Sequence, residues 1–200
     1  MSVWIAAGLG AMTWTLLEYV IHRWGGHDRR FSRRSMFGRE HTRHHSEGNY
    51  FAPTWKKAVM ATVVVPLVAA PVALLTGPVL ALAYALGLVG LYLVYEWIHR
   101  RLHVSAGWGP YARWARRHHF FHHFHDPSVN HGVTSPVWDW VFGTLRRPDQ
   151  VAVPERLAMS WLCDEQGLVR EEHRRDYVLR KSKRSPRGPG RARLAVGARG

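Results

Sequence analysis

The sequence predicts an all-α integral membrane protein, with about three transmembrane helices and a cytoplasmic helical cap that carries histidine motifs. Three long apolar runs indicate the helices; a basic segment separates the first from the second, and a short turn separates the second from the third. Fourteen histidines occur in 200 residues, and 13 of them lie between His22 and His131, so we expect the polar segments to carry the chemistry. The single cysteine, Cys163, excludes a disulfide within the chain and a CxxC site.

The first apolar run, residues 3–21, carries one charge, Glu18, close to its end. As a helix with ~1.5 Å of rise per residue, this run would reach ~28 Å, about the thickness of a bilayer core. A signal peptide would need a basic segment before the run and a small-residue cleavage site after it. The sequence has neither, so we expect a membrane helix.

The second apolar stretch, residues 58–98, is long enough for two helices. The sequence Thr-Gly-Pro at 76–78 interrupts it in the middle, as a turn would. We therefore predict helices at about 58–75 and 79–98, joined by a short turn, with internal prolines that could kink the first of them. A shallow hairpin that does not cross the bilayer completely is the alternative.

Basic residues are distributed unevenly around these runs. Segment 22–57 carries nine Lys or Arg, the turn at 76–78 carries none, and several arginines follow residue 99. The positive-inside rule then predicts an N-terminus outside, with segment 22–57 and the chain after residue 99 in the cytoplasm.

The composition changes again after residue 150. Residues 1–150 form the predicted membrane domain, and residues 151–180, which mix charged and apolar side chains, predict a small cytoplasmic cap segment. Residues 181–200 are basic and rich in Pro and Gly, which predicts a disordered tail. We expect no nucleic-acid partner, because the basic clusters flank the predicted helices and no recognition module is visible.

The histidines form two matching sets, one after the first apolar run and one after the third. Each set is a spaced pair followed by an HxxHH motif, and the offset between sets is 77 residues for the pairs and 78 for the HxxHH motifs. A glutamate precedes each pair, Glu18 in the first set and Glu96 in the second. The ten histidines of the two sets are His22, His27, His41, His44, His45, His99, His103, His119, His122 and His123.

This spacing is typical of metal ligands. Helix positions i, i+3 and i+4 lie on one face, so we expect an HxxHH motif to converge three imidazoles on one point. His22 and His27 are five residues apart with Gly25 and Gly26 between them, which predicts a helix end and a turn that swings His27 back. Ten imidazoles exceed the ~4–6 ligands of one ion and therefore predict two metal ions. Iron, zinc and copper are the metals that suit imidazole ligands.

These four motifs, together with the ending NHGVTSPVWDWVFGT at 130–144, resemble the fatty acid hydroxylase/sterol desaturase superfamily of integral-membrane di-iron oxygenases. The resemblance covers roughly residues 14–147, and the spacings are most similar to those of fatty acid 2-hydroxylases. The chain departs from that pattern in having no fused cytochrome b5 domain and in placing His131 where the family usually has an aromatic residue.

The resemblance implies O2-dependent hydroxylation of an unactivated C–H bond in a lipid, most simply a fatty acyl chain. Two iron ions held by the ten histidines would be the cofactors, and zinc could occupy the site in the isolated protein. Since the sequence has no haem motif, cysteine cluster or dinucleotide fingerprint, we expect an external electron donor, a ferredoxin or cytochrome b5-like protein with its reductase. Sterol or carotenoid oxidation or desaturation, and a non-catalytic membrane metal-binding protein, are the alternatives.

Several polar residues near the motifs are candidates for supporting roles. Glu18 and Glu96 could accept the second N–H of a metal-binding histidine, or they could be interfacial carboxylates that reach water. Asp126 and Asp139 are similar candidates, although Asp139 could instead form a structural anchor with Trp138. The histidines outside the register of the motifs, whose roles the pattern leaves open, are His118, His125 and His131.

Overall fold

The computed structural model of the chain describes residues 1–107 and 109–181. The predicted disordered tail therefore lies outside the described residues, apart from Lys181. The described helices are α1 Val3–Val20, α2 Arg29–Ser32, α3 Met36–Glu47, α4 Thr54–Thr76, α5 Pro78–Val104, α6 Gly109–Phe124 and α7 Val137–Val141. Two short strands follow, β1 Val151–Pro154 and β2 Tyr177–Arg180.

Three of these helices are long and apolar enough to cross a membrane: α1 with its extension to His27, α4 and α5. All the side chains of α4 are at least partly exposed, which suits a helix whose surroundings are lipid. The all-α membrane fold predicted from the apolar runs is thus confirmed, with little sheet.

The α4–α5 hairpin has the short turn that the sequence predicts. Gly77 alone separates the two helices, with a φ of +86° that favours glycine, and Pro78 begins α5. α5 runs beyond the predicted residue 98 to Val104, so the spaced pair His99 and His103 lies on the same helix as the apolar run.

α1 packs closely along α5, and α4 packs against another side of α5. Glycines allow the first contact, because a Cβ on Gly10 would lie 1.9 Å from the carbonyl oxygen of Tyr84, and a Cβ on Gly87 equally close to that of Ala7. Trp14 and Leu88 fill the buried centre of this three-helix core. The close α1–α5 contact brings the ends of these two helices, and hence both spaced histidine pairs, together.

The segment after residue 150, predicted as a small cap, contains the two short strands. β1 and β2 pair in parallel, with Val151 opposite Tyr177, and β1 packs on α6 through a core that includes Phe120. The four residues of each strand are too few for a periodic signal in the sequence, so the pairing depends on this tertiary core. Its role is to hold α6, which carries the second HxxHH motif.

Candidate metal centre

The first spaced pair lies on a π-helical segment, Ile21–His27, that continues α1. The turn predicted after His22 is therefore wrong. In a π-helix the hydrogen bonds join residues five apart, so His22 and His27 lie one above the other, with ring centroids 5.3 Å apart. Gly26 permits the approach of α3, because a Cβ there would lie 2.7 Å from the His41 ring.

The ten motif histidines assemble into two groups of five. In each group, one ring nitrogen of every histidine lies within 4.8 Å of the corresponding nitrogens of the other four. The first group is His22, His27, His41, His45 and His122, and the second group is His44, His99, His103, His119 and His123.

Each HxxHH motif is divided between the two groups, so the predicted convergence of three imidazoles on one point is wrong. The residues at i and i+4 stay together, whereas the residue at i+3 belongs to the other group: His44 joins the second and His122 the first. Helix positions i+3 and i+4 are ~100° apart around the axis, so they can face different centres. The helices α3 and α6 thereby each serve both groups.

The distances between ring nitrogens fit one metal ion in each group. Two nitrogens ~2.1 Å from the same ion are ~3.0 Å apart at a 90° angle and ~3.4 Å apart at the tetrahedral angle. The contacts between Nε2 atoms are 2.9 Å for His22–His122, 2.9 Å for His27–His122, 2.8 Å for His27–His41, 3.0 Å for His44–His99 and 2.9 Å for His103–His119. These values match adjacent ligands of a five- or six-coordinate ion.

Ring nitrogens that lack a hydrogen-bond partner also indicate a metal ion in each group. Nε2 of His45 and both ring nitrogens of His123 are buried without a hydrogen-bond partner among the described residues. A buried polar atom without a partner is costly, and a metal ion at the centre of each group would remove that cost. The donor set, imidazole nitrogens throughout, suits a transition metal such as iron or zinc rather than calcium or magnesium.

Burial keeps these imidazoles neutral, which is the form that binds metal. Outside the candidate membrane helices, desolvation first and neighbouring imidazoles second hold the pKa well below its usual value in both HxxHH motifs, as for His41 and His122. Desolvation lowers the pKa of His44 to about 4.

The second ring nitrogen of several motif histidines donates to a backbone carbonyl. Nδ1 of His22 donates to the His131 carbonyl at 2.5 Å, and Nδ1 of His122 to the Val129 carbonyl at 2.7 Å. In the second group, Nδ1 of His44 donates to the Tyr50 carbonyl at 2.7 Å. These bonds fix the tautomer and direct Nε2 toward the centre of the group.

Glu18 and Glu96, which the sequence suggests as acceptors for the second N–H of a metal-binding histidine, bind other groups instead. Glu18 is only 4% exposed, so it does not reach water, and it accepts from the backbone N–H groups of Val133 and Thr134 and from the Thr134 hydroxyl. Glu96 forms an ion pair with Lys57. Glu18 therefore holds the loop that also carries the His131 carbonyl.

Asp139 anchors the same loop from the other side. The fully buried carboxylate accepts from the backbone N–H groups of His131 and Gly132, both at 2.8 Å, and from the Thr144 hydroxyl at 2.7 Å. Burial alone would raise the pKa of the Asp139 carboxyl, but His118, the nearby His131 ring and the bonds from Gly132 and Thr144 outweigh it and hold the pKa well below its usual value. The structural-anchor interpretation describes Asp139 well.

The remaining candidates have distinct positions. His131 is 1% exposed, with its ring centroid 5.3 Å from that of His122, and its Nδ1 is 3.7 Å from Asp139, too far for a hydrogen bond. His125 accepts from the backbone N–H of Ala152 and so joins α6 to β1. Asp126 accepts from the backbone and hydroxyl of Ser128 within a turn.

A cavity of about 150 Å³, open on one side, lies beside both groups of histidines. Its walls are apolar side chains of the three long helices, and its polar end is lined by His22, His41, His44 and His99. Two ion pairs border this end, Lys56 with Glu40 and Lys57 with Glu96, and connect α4 to α3 and to α5. The sequence pattern does not single out either lysine, because their only signal is their position at the start of α4.

Residues 7–144 match the family model described as fatty acid hydroxylase. Over 154 residues the chain is 32% identical to the dihydroceramide fatty acyl 2-hydroxylase FAH2 of Arabidopsis thaliana, an alignment that covers 72% of this chain and 62% of the relative. Over 147 residues it is 32% identical to the ceramide very long chain fatty acid hydroxylase SCS7 of Saccharomyces cerevisiae, covering 70% of this chain and 38% of the relative. The chain thus spans only part of these curated relatives.

A solved structure gives the same result. The fold is similar to that of full-length scs7p, of which only the hydroxylase domain is visible, with a TM-score of 0.58 and 29% identity. The superposition covers 76% of this chain and 60% of that one.

Proposed function

Because this chain belongs to the fatty acid hydroxylase family, we propose that it is a membrane enzyme that hydroxylates an unactivated C–H bond of a fatty acyl chain with O2. One observation carries this proposal: two groups of five imidazoles, each at least partly buried, lie at the end of an apolar cavity among the long helices, and both groups contribute rings to its lining. The imidazoles provide the donors for two metal ions, and the cavity provides space for a hydrocarbon substrate.

The proposed cofactors are two iron ions, one in each group of histidines. Iron bound there would supply the redox chemistry that activates O2 for attack on a C–H bond. The chain holds the donor nitrogens in place through the carbonyl contacts of residues such as His22 and His44. Burial of rings such as His122 limits the access of water.

The proposed substrate is the acyl chain of a membrane lipid. The cavity walls include Met60, Val64 and Leu88, which offer a methylene chain contacts but no hydrogen bonds. Because these walls belong to helices that could span the bilayer, the chain of a lipid would enter sideways, with its reacting carbon at the imidazole end. The names of the curated relatives, which are fatty acyl hydroxylases of ceramide or dihydroceramide, support this substrate class over sterols and carotenoids.

The proposed orientation places the histidines on the cytoplasmic side, where an external electron donor would dock. Four exposed arginines of the α2–α3 region, at positions where the structure describes no ion pair, would favour an acidic protein such as a ferredoxin or a cytochrome b5-like protein. These arginines are Arg29, Arg33, Arg34 and Arg39.

Lipid analysis of cells that produce the protein tests this function. We expect hydroxylated acyl chains with the wild type and with His125→Ala, whose ring lies outside both groups, but none with His122→Ala. Oxidised sterols or carotenoids in place of hydroxylated acyl chains would identify the alternative substrates. If the wild type binds two metals but leaves every lipid unchanged when electron donors are supplied, the protein is a metal-binding protein rather than a hydroxylase.

A further inference from the structure

The short helix α7 follows the histidine-bearing α6 in the sequence, yet it contacts α1 within the apolar run. The indole N–H of Trp138 donates to the Thr15 hydroxyl at 2.9 Å, and the Phe142 ring stacks on Tyr19 with centroids 5.0 Å apart. Thr15 and Tyr19 precede His22 by seven and three residues, which corresponds to ~10 Å and ~5 Å along a helix. α7 therefore lies at a depth that α1 would reach only inside the bilayer.

One face of α7 is apolar and unpartnered. Val137, Trp140 and Val141, at positions i, i+3 and i+4, point away from the protein with exposures of 51%, 73% and 51%. Phe142 and Trp24 are also exposed and extend the surface toward α1. Exposed apolar side chains that are contiguous on one face mark a site of contact with lipid or protein.

The charge that follows α7 favours lipid. Arg146 and Arg147 are exposed and lie just beyond the apolar face. Tryptophan and basic side chains next to an apolar surface are typical of the membrane interface, where the indole sits at headgroup level and the cations meet lipid phosphates.

We propose that α7 is an interfacial helix that inserts into the same leaflet as the end of α1, with Val137, Trp140 and Val141 among acyl chains. This proposal rests on the proposed crossing of the membrane by α1. On the opposite face of α7, Asp139 binds the backbone of the loop whose carbonyl orients His22. Lipid contact with α7 would therefore help to seat the loop that positions the first group of histidines.

Spin-label accessibility tests the proposal in nanodiscs of phosphatidylcholine and phosphatidylglycerol. The native cysteine is removed by Cys163→Ser, and single labels are introduced by Trp140→Cys and, independently, Val141→Cys. Two matched positions set the scale: Leu67→Cys on α4, which is 71% exposed and apolar, and Glu165→Cys on the exposed surface of the cap segment. The measured quantity is the ratio of collisions with O2 to collisions with a polar nickel chelate.

We expect the ratios at 140 and 141 to exceed that at 165 several-fold and to stay below that at 67, which lies nearer the middle of the proposed span. A ratio equal to that at 165 would mean that α7 faces water, and protection from both reagents would mean that protein covers it. Either result overturns the proposal. The experiment does not depend on turnover, so a failure of the hydroxylase function, seen in lipid analysis, would be recognised separately.

Discussion

His45 and His123 lie face to face, with ring centroids 4.0 Å apart and planes within 6° of parallel. One comes from each HxxHH motif, and each belongs to a different group of five. The stacked pair therefore forms a direct contact between the two groups. Together with the exchange of His44 and His122 between the groups, it makes the two candidate metal sites one interlocked unit.

The division of the HxxHH motifs predicts the metal content of single variants. His122→Ala removes a donor from the first group alone, although His122 is three residues from His119 of the second. We expect the metal content, measured by mass spectrometry of the purified protein, to fall from two ions per chain toward one. His125→Ala should keep both ions, and an equal loss from both variants would contradict the assignment.

The close approach of α3 to the π-helical segment predicts a strong effect at Gly26. In Gly26→Ala the new methyl would lie 2.7 Å from the His41 ring, so the ring must move, at a cost of ~1–3 kcal/mol for overpacking. We expect weaker metal binding in competition with a chelator. Gly25→Ala is the matched control, because its methyl would meet Phe37 at 3.4 Å; a similar loss in both variants would point to backbone flexibility instead.

The anchoring role of Asp139 predicts a loss of stability. In Asp139→Asn the amide has one acceptor oxygen, so only one of the backbone N–H groups of His131 and Gly132 keeps its bond. A buried donor left unsatisfied lowers the free energy of unfolding by ~1–3 kcal/mol. We expect a clear fall in the melting temperature in detergent. Asp126→Asn, in a turn near the surface, should change stability by less than ~0.5 kcal/mol. If the two variants melt alike, Asp139 does not anchor the loop.

The position of the cavity predicts control of chain length. Val65 lines the cavity two helical turns beyond Lys57, so Val65→Trp would fill the space for the distal part of an acyl chain. We expect the hydroxylated products to shift to shorter chains with metal content unchanged. Leu67→Trp, on the exposed side of the same helix, should leave the product distribution as in the wild type, and an equal shift would place the substrate elsewhere.

Much of this arrangement follows from the sequence because it depends on repeated spacing. The three apolar runs, the turn at Gly77 and the ten motif histidines are all local patterns, and the structure brings those ten side chains together. The assignment of each histidine to a group depends instead on how α3 and α6 face each other, since positions i+3 and i+4 of one motif point to different centres. Spacing along one helix does not contain that information.

Tertiary contacts also decide the points on which the sequence misleads. The spacing of His22 and His27 suggests a helix end followed by a turn, but the structure has a π-helical segment there, packed by α3 at Gly26, which aligns the two rings without a turn. Glu18 stands four residues before His22, which suggests a carboxylate–histidine pair, yet it binds the loop at Val133. Backbone carbonyls take that role, and they carry no residue-specific signal.

Isotope labelling tests the central claim most directly. Membranes containing the wild-type protein, with iron, a reductase system and lipid supplied, are exposed to ¹⁸O2, and acyl chains are analysed by mass spectrometry. We predict that ¹⁸O appears in a hydroxyl group on the acyl chain in the wild type and is absent in His122→Ala. Hydroxyl oxygen that derives from water, or no hydroxylated acyl chain from iron-loaded protein, would contradict an O2-dependent lipid hydroxylase.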